Sequence, residues 1–449
     1  MFQDNFHSQM LNASYIRNDN AMVISVPGFA GAGVGIDGNF KISDLVLKDL
    51  SGDMVVDLEN FYNSVDSESS IKNWFSVPLI FVGFPVNEGR INIYLKTQMH
   101  TTFGFNSGAL KFFDSGNFPL NYKSYNTGNM YFTGLDYREL AVGYAKSINE
   151  KINFGIRGKL LFGTIYAEAE NWNYGINTTE GGDEVELYSK GSGRVSLPVP
   201  LELDVENRIL RLVGDNALGE YLGAFQNPGF ALDFGSTVVL NDKSWLSVAV
   251  NDLGGIWFRK NASKIEQDAT YTFRGFDISN SIETIGSEQY IDPLDLMINT
   301  KDSIRNVYRP VVDTAGFVQS LTPKMAWHYQ YNISNDLSVG ITNQTAFYRN
   351  SITNIITVST LQKSGNFSFF ENINLYGFNT ITVGGGIQFE GKYLQLFALT
   401  DNLFAVNHPA KNKSFSMVVG ICALLNKPMK NKISDGKFSP HLPFHKIIK

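Results

Sequence analysis

The sequence has little cysteine, little charge and no long apolar run, and each deficit excludes a class of protein. Its 449 residues contain one cysteine, Cys422, so neither an intramolecular disulfide nor an all-cysteine metal site can form. Charged residues make up 18%, against about 25% in typical globular domains. The longest apolar runs, such as residues 77–86, span about ten residues, roughly half of what a membrane-spanning helix requires.

Apolar residues are nevertheless abundant, and they alternate with polar ones. The chain has 34 Phe and 20 Tyr, yet its mean hydropathy is only −0.11. In residues 91–103 the odd positions carry Ile91, Ile93, Leu95, Met99 and Phe103, whereas the even ones are mostly polar. Successive side chains of a strand point to opposite faces, so this pattern predicts a strand with one apolar and one polar face.

Segment length and loop rhythm distinguish a membrane barrel from a soluble sandwich. The alternating segments are about 10 to 16 residues long, whereas strands in soluble proteins average about 5 or 6. Tight connections, such as Asn149-Glu150 and Gly391-Lys392, alternate with long ones, such as residues 38–74 and 259–321. Short periplasmic turns and long extracellular loops give this rhythm. We therefore predict an all-β fold, a transmembrane antiparallel β-barrel of about 14 strands over residues 22–425.

Three segments fall outside the barrel pattern. Residues 1–21 are polar and unpatterned, which predicts a plug-like segment in the lumen. Residues 205–226 predict a short helix in a loop or in the lumen. Residues 426–449 form a basic tail, expected in the periplasm. No signal peptide is evident, and we expect that one has been removed from an outer-membrane protein.

Several fragments, in order along most of the chain, resemble an uncharacterised family of Bacteroidota outer-membrane barrels and the long-chain fatty-acid transporters. They are Val-Pro-Gly-Phe at 26–29 with Gly-Val-Gly at 33–35, residues 137–144, 151–159, 227–235 and 251–254, and Asp401-Asn402. The resemblance implies a barrel related to those transporters and to barrel components of the type IX secretion apparatus. The transporters' plug carries an Asn-Pro-Ala motif, to which Asn12-Ala13-Ser14 is the nearest match here.

Four charged residues fall on the polar face of their predicted strands: Glu139, Arg157, Lys159 and Asp233. Side chains on that face point into the lumen, where opposite charges on adjacent strands can pair. The main interpretation is a polar network that fills the lumen, and the alternative is a lining for a solute path. A catalytic pair would require a third group or a nucleophile motif. The sequence offers neither, so we predict that the protein is not an enzyme.

Other chemistry finds little support in the sequence. The histidines are scattered apart from His441 and His445, which Pro443 separates, so we predict no metal site and no cofactor. The net charge is −6 and the barrel region has no basic stripe, so we expect no nucleic-acid partner. The expected partners are outer-membrane lipids and other outer-membrane or periplasmic proteins, including lipoproteins.

The tail is a candidate docking segment. It contains Lys427, Lys430, Lys432, Lys437, Lys446 and Lys449 against Asp435 alone. Six lysines less one aspartate give a net charge of +5, so the preceding residues carry −11. A basic strap on an acidic barrel suits an acidic periplasmic surface. We therefore predict a non-catalytic subunit of an envelope complex for protein secretion or barrel assembly. The alternative is a transporter or channel for a hydrophobic or small solute.

Deleting residues 426–449 tests the docking prediction. The barrel should fold and insert, because the last predicted strand is complete at Leu425, while co-purification of periplasmic or lipoprotein partners should fall. Pull-downs of both forms from native membranes, at low and high salt, measure this effect. Equal partner recovery by both forms would contradict docking.

Overall fold

The computed structural model describes most of the barrel region and part of each flanking segment. It describes all residues except 1–4, 18, 20, 49–53, 58–59, 62, 64, 66–67, 88, 107–124, 179–183, 205–208, 213–215, 224, 275–306, 309, 349–350, 378–379 and 427–449. All six lysines of the predicted docking tail therefore lie outside the described residues.

The described chain is almost entirely β-structure. The strands are β1 (Met22–Gly38), β2 (Val46–Lys48), β3 (Met54–Val56), β4 (Glu68–Val86), β5 (Gly89–Asn106), β6 (Tyr125–Ser147), β7 (Ile152–Thr178), β8 (Val185–Ser196), β9 (Leu201–Asp204), β10 (Ile209–Leu212), β11 (Asn227–Asn241), β12 (Ser244–Phe258), β13 (Ala262–Phe273), β14 (Val311–Asp313), β15 (Phe317–Ser320), β16 (Lys324–Asn332), β17 (Leu337–Tyr348), β18 (Ser351–Ser364), β19 (Phe367–Tyr376), β20 (Thr380–Glu390), β21 (Leu394–Thr400) and β22 (Ser414–Leu425). The α-helices are α1 (Phe6–Leu11) and α2 (Ala217–Leu222), and 3₁₀ turns cover Ile42–Asp44, Leu403–Ala405 and Pro409–Lys411.

The large sheet closes on itself as an antiparallel barrel. Strands β4 to β7 pair in succession, β7 continues to β11, β11 to β12 and β12 to β16, and β16 to β22 again pair in succession. Strand β1 pairs with both β22 and β4, which completes the ring. Closure supplies hydrogen-bond partners from within the wall, as a bilayer requires. The predicted fold class is confirmed.

The strand count depends on how interrupted strands are counted. In the part of the chain that the structure describes, the large sheet has 18 strands. The short β14 and β15 lead into β16, and without them the barrel has 16 strands. Strand β7 pairs with β11 over its first half and with β8 over its second, while β13 pairs with β8 beyond the end of β12. The barrel therefore has two strands more than the 14 predicted. At the level of the turn between β6 and β7 the ring has 14 strands, and β8 and β13 extend the wall on the side away from that turn.

The predicted tight turns lie at one end of the barrel, with Leu425, and we call this the turn end. Asn149-Glu150, Asn241-Asp242-Lys243 and Gly391-Lys392 all connect strands there, as does a further turn at Gly365 that the sequence analysis missed. The opposite loop end carries the long connections. It also has two short ones, at 349–350 and 377–379, so the expected alternation of tight and long is not strict.

Side chains alternate between the lumen and the outer surface. On β6, Leu140, Val142 and Tyr144 are exposed on the outside, whereas Glu139 and Ala141 are buried inside. The outer face therefore presents a band of apolar side chains to its surroundings, as a membrane barrel does. Among the described residues, no helix combines the length and apolar character needed to cross a membrane.

We predict that Val142→Arg destabilises the barrel by about 2 to 4 kcal/mol, because it places a cation on the lipid-facing wall near mid-depth. Denaturant unfolding of the barrel refolded in vesicles measures the loss. Val142→Leu is the control, since it keeps the position apolar. Equal stability of the two variants would mean that Val142 does not face lipid.

Candidate functional site

A buried cluster of charges lies on the inner face of three neighbouring wall strands. It contains the four residues singled out from the sequence: Glu139 on β6, Arg157 and Lys159 on β7, and Asp233 on β11. Arg157 Nη1 lies 2.9 Å from Asp233 Oδ2. Lys159 Nζ lies 2.8 Å from Asp233 Oδ1 and 3.4 Å from Glu139 Oε1.

The cluster also includes three charged residues that the sequence analysis did not select. Asp252 accepts hydrogen bonds from Lys159 Nζ at 2.6 Å and from Lys324 Nζ at 3.0 Å. Lys96 Nζ lies 3.4 Å from Glu139 Oε2. Two neutral groups, the Tyr94 hydroxyl at 2.7 Å and the Gln98 amide at 2.8 Å, donate to Glu139.

An irregularity in β12 explains why Asp252 was missed. Leu253 pairs with Leu232 and Val250 with Phe234, so β12 has one more residue than β11 in this interval. Asp252 has a positive φ of 64°, and the extra residue reverses the alternation. Asp252 thus turns inward while Leu253 faces outward. The break in alternation at Asn251-Asp252 was the available signal.

The cluster's excess positive charge faces the N-terminal segment. Its four cations, Lys96, Arg157, Lys159 and Lys324, meet three carboxylates. Arg157 directs further N–H groups to the carbonyl oxygens of Gln9 and Met10. A buried cation needs such acceptors, because desolvation otherwise costs several kcal/mol. Arg157 thereby ties the wall to the N-terminal segment.

The N-terminal segment, residues 5–17, lies inside the barrel and contacts separate parts of its wall. Asn5 Nδ2 donates to Gln388 Oε1 on β20 at 2.9 Å. At its other end, Ser14 Oγ lies 2.8 Å from Thr237 Oγ1 on β11, and Tyr15 donates or accepts a 3.0 Å hydrogen bond with Ser247 on β12. The segment therefore crosses the lumen from one set of strands to another.

Glycines on the wall allow this close approach. A Cβ at Gly155 would come within 2.0 Å of the carbonyl oxygen of Ala13. A Cβ at Gly235 would come within 2.1 Å of Asn12 Oδ1. A side chain at either position would collide with the segment.

Helix α1 packs against an apolar patch of the wall. The Phe6 ring centroid lies 5.4 Å from that of Phe81 on β4 and 5.6 Å from that of Phe397 on β21. Next to it, burial and, to a smaller extent, the nearby Lys96 cation together lower the pKa of His7 to about 4. The His7 side chain is therefore neutral at pH 7 and needs no counter-ion in this apolar setting.

The wall is irregular directly beside α1. On β1, Ser25 pairs with Cys422 and the next pair on β22 is Ala30 with Gly420. Towards β4, Ile24 pairs with Val82 and the next pair is Gly33 with Ser76. Residues 26–29 thus have no partner in either described ladder. Gly28 and Gly31 have positive φ values of 79° and 101°, and His7 lies against Gly31, where a Cβ would meet its ring.

Within the described residues, no group of three or more His, Cys, Asp or Glu is arranged to hold a metal ion. His7 lies on α1, His100 on β5 and His328 on β16, and His441 and His445 lie outside the described part of the chain.

These features define a transmembrane antiparallel β-barrel whose lumen holds its own N-terminal segment. The chain belongs to DUF5723, a family of unknown function whose model matches residues 16–401. None of the curated proteins compared matches it.

Solved structures with similar folds include two toluene transporters and a FadL homologue. They are the toluene transporter TbuX of Ralstonia pickettii (8% identity, TM-score 0.41, 93% of this chain and 92% of that one), the toluene transporter TodX of Pseudomonas putida (9%, 0.41, 93% and 93%), and a FadL homologue of Pseudomonas aeruginosa (10%, 0.38, 92% and 91%). At these identities the likeness concerns the fold alone.

We predict that Lys159→Met destabilises the barrel by about 3 to 5 kcal/mol, because it leaves Glu139, Asp233 and Asp252 buried without their shared cation. Chemical unfolding of the refolded barrel measures the change. Lys190→Met is the control: Lys190 pairs with Asp268, both side chains are 70% exposed, and such pairs contribute less than about 1 kcal/mol. Similar losses of stability in both variants would contradict the role of Lys159 as the cation shared by the three carboxylates.

Proposed function

We propose that the protein is a non-catalytic outer-membrane channel for a small hydrophobic solute, closed by residues 5–17 and open to the membrane through the wall between β1 and β4. The observation that carries the proposal is the juxtaposition of the interrupted strand β1 with helix α1. The loop end would face the exterior and the turn end the periplasm, as in other barrels with short periplasmic turns.

The interruption supplies a passage suited to apolar molecules. Strand β4 offers residues 77–81 opposite the unpaired part of β1, and Pro78 among them has no N–H to donate. At the lower edge, Ser25 Oγ accepts a 2.7 Å hydrogen bond from the Phe81 amide, so a side chain replaces the missing ladder bond. Val26 and Phe29 are exposed on the outer side. An apolar solute could leave here into the acyl chains without crossing a polar rim.

The lumenal side of the same place is also apolar. Phe6, Ala30, Phe81 and Phe397 belong to one buried cluster that lines the interruption. Helix α1 occupies this patch, so an entering solute would have to displace it. Apolar molecules compete for such a surface through burial of their own area.

The hold on the segment leaves one buried polar side chain unsatisfied, which suits a movable closure. Thr237 and Ser247 bind its second half through hydrogen bonds. Gln388 and Arg157 bind its first half, at Asn5 and Met10. Both amide atoms of Gln9, however, are buried without a hydrogen-bond partner. Unsatisfied buried polar atoms cost about 1 to 3 kcal/mol each, so they lower the energy needed to move the segment.

The expected role as a subunit of an envelope complex rested largely on the tail, which lies outside the described residues, and that role stays a prediction. Kinship with Bacteroidota barrels and with the type IX secretion apparatus likewise stays a prediction. The contacts described above favour the solute channel.

A reversible cross-link between the segment and the wall tests the proposal. Ser14→Cys with Thr237→Cys, in a Cys422→Ser background, places two sulfurs where oxygens now lie 2.8 Å apart. Oxidation should reduce uptake of toluene or a long-chain fatty acid several-fold in cells that carry the protein in their outer membrane. A reductant should restore uptake.

Each single-cysteine variant is the matched control and should be insensitive to oxidant. Uptake of a sugar should change in none of the variants. Undiminished hydrophobic uptake by the fully cross-linked protein would reject displacement of the segment as the gate, and uptake no greater than in cells without the protein would reject the channel itself.

A further inference from the structure

Helix α2 lies in a loop, one of the two places that the sequence predicted, and this loop is on the outside of the barrel. It belongs to the connection that leaves the wall after β8 and returns at β11. Phe225 contacts Phe162 edge-on, with ring centroids 5.3 Å apart. On β7, Leu160 and Phe162 share the outward parity, because Arg157, Lys159 and Leu161 face inward. The connection thus folds back over the outer wall.

Beneath α2 the outer wall carries charge. Arg138 and Asp136 have the same parity on β6 as the outward-facing Leu140 and Val142, yet both are buried. Arg138 donates to the carbonyl oxygens of Tyr221 at 2.7 Å and Leu222 at 2.8 Å. The Tyr221 hydroxyl lies 3.2 Å from Asp136 Oδ2. A cation at the carboxyl end of a helix is favourable, and α2 in turn shields both charges.

The position of Arg138 places α2 at the edge of the membrane. Arg138 lies nine residues above Ser147, the last residue of β6 at the turn end. At about 3.4 Å per residue and a tilt of about 40°, this corresponds to about 23 Å along the barrel axis. The apolar band of such barrels is about 25 Å tall, so α2 lies near its upper boundary.

The outward side of α2 is apolar. Leu218 and Leu222, one helical turn apart, are 70% and 61% exposed, and Phe225 is 51% exposed. Glu220 points elsewhere and pairs with Lys260 at 3.1 Å. The exposed residues continue the apolar surface of Leu160 and Phe162 on the wall below.

We propose that α2 is an external membrane anchor that inserts Leu218, Leu222 and Phe225 into the acyl chains of the leaflet at the loop end. Lipid is the occupant that fits, because the exposed side chains adjoin the lipid-facing band and lie at its upper boundary. This role goes beyond solute passage and does not depend on it.

Spin labels test the anchor. Leu218→Cys and Leu222→Cys, each in a Cys422→Ser background, are labelled and refolded into phosphatidylcholine vesicles. Collision rates with oxygen, which concentrates in lipid, and with a water-soluble nickel chelate are then compared. Val142→Cys is the lipid reference, and Lys190→Cys, whose native side chain is 70% exposed, is the water reference.

Labels at 218 and 222 should resemble the label at 142, with an oxygen-to-nickel ratio several-fold above that at 190. A ratio equal to that at 190 would overturn the anchor and place α2 in water. Exclusion of both reagents would also overturn it, because a protein partner or a second copy would then cover the helix. Heat-modifiable migration on gels confirms that each labelled barrel is folded.

Discussion

The structure depends on the requirement that backbone N–H and C=O groups in a bilayer find partners within the protein. A closed antiparallel ring meets this requirement strand by strand, and β1 completes it by pairing with β22 on one side and β4 on the other. Where a strand is regular, closure in turn fixes the direction of its side chains, because alternate residues must face lipid and lumen. The placement of Val142 outside and Glu139 inside follows from that one constraint.

Charged side chains buried in the lumen likewise need partners within the protein. Glu139, Asp233 and Asp252 are buried carboxylates, and each would be costly alone, but Lys159 lies within 3.4 Å of all three. Arg157 pairs with Asp233 and also donates hydrogen bonds to the carbonyl oxygens of Gln9 and Met10. The network that fills the barrel is therefore also the network that positions the N-terminal segment. A substitution at Arg157 would therefore affect both the stability of the wall and the position of the N-terminal segment in the lumen.

The sequence predicted what local periodicity determines. The fold class, the inward parity of Arg157 and Lys159, and the tight turns at one end all follow from alternation and turn residues. It did not predict Asp252, because one inserted residue in β12 reverses parity and period-two analysis assumes none. It did not select Lys96, although Lys96 lies beside Glu139 on the neighbouring strand β5, and it did not select Lys324, whose partner Asp252 was itself missed. The outer position of α2 depends on where a loop folds back over the wall, which periodicity does not encode. The tail's role rests on composition alone.

Besides the extra residue in β12, the wall departs from regularity at residues 26–29 of β1 and at the outward-facing charges of β6, and nearby groups compensate for each departure. Along β1, residues 26–29 leave the ladder, and Ser25 Oγ takes over the Phe81 amide. On β6, Arg138 and Asp136 face outward, and α2 covers them with its own carbonyl groups and the Tyr221 hydroxyl. Both remedies are side chain or loop contacts, which are easier to break than a strand ladder. Along β1 the departure removes ladder pairing, whereas β6 stays paired with both β5 and β7 at Arg138. A change in the wall during function would therefore cost less backbone pairing at β1. The two places also differ in their position. The interruption of β1 lies against α1 and the apolar lumen, so it suits a passage. The charged patch of β6 has no access to the lumen, because Tyr137 and Glu139 are buried on the inner face of the same strand.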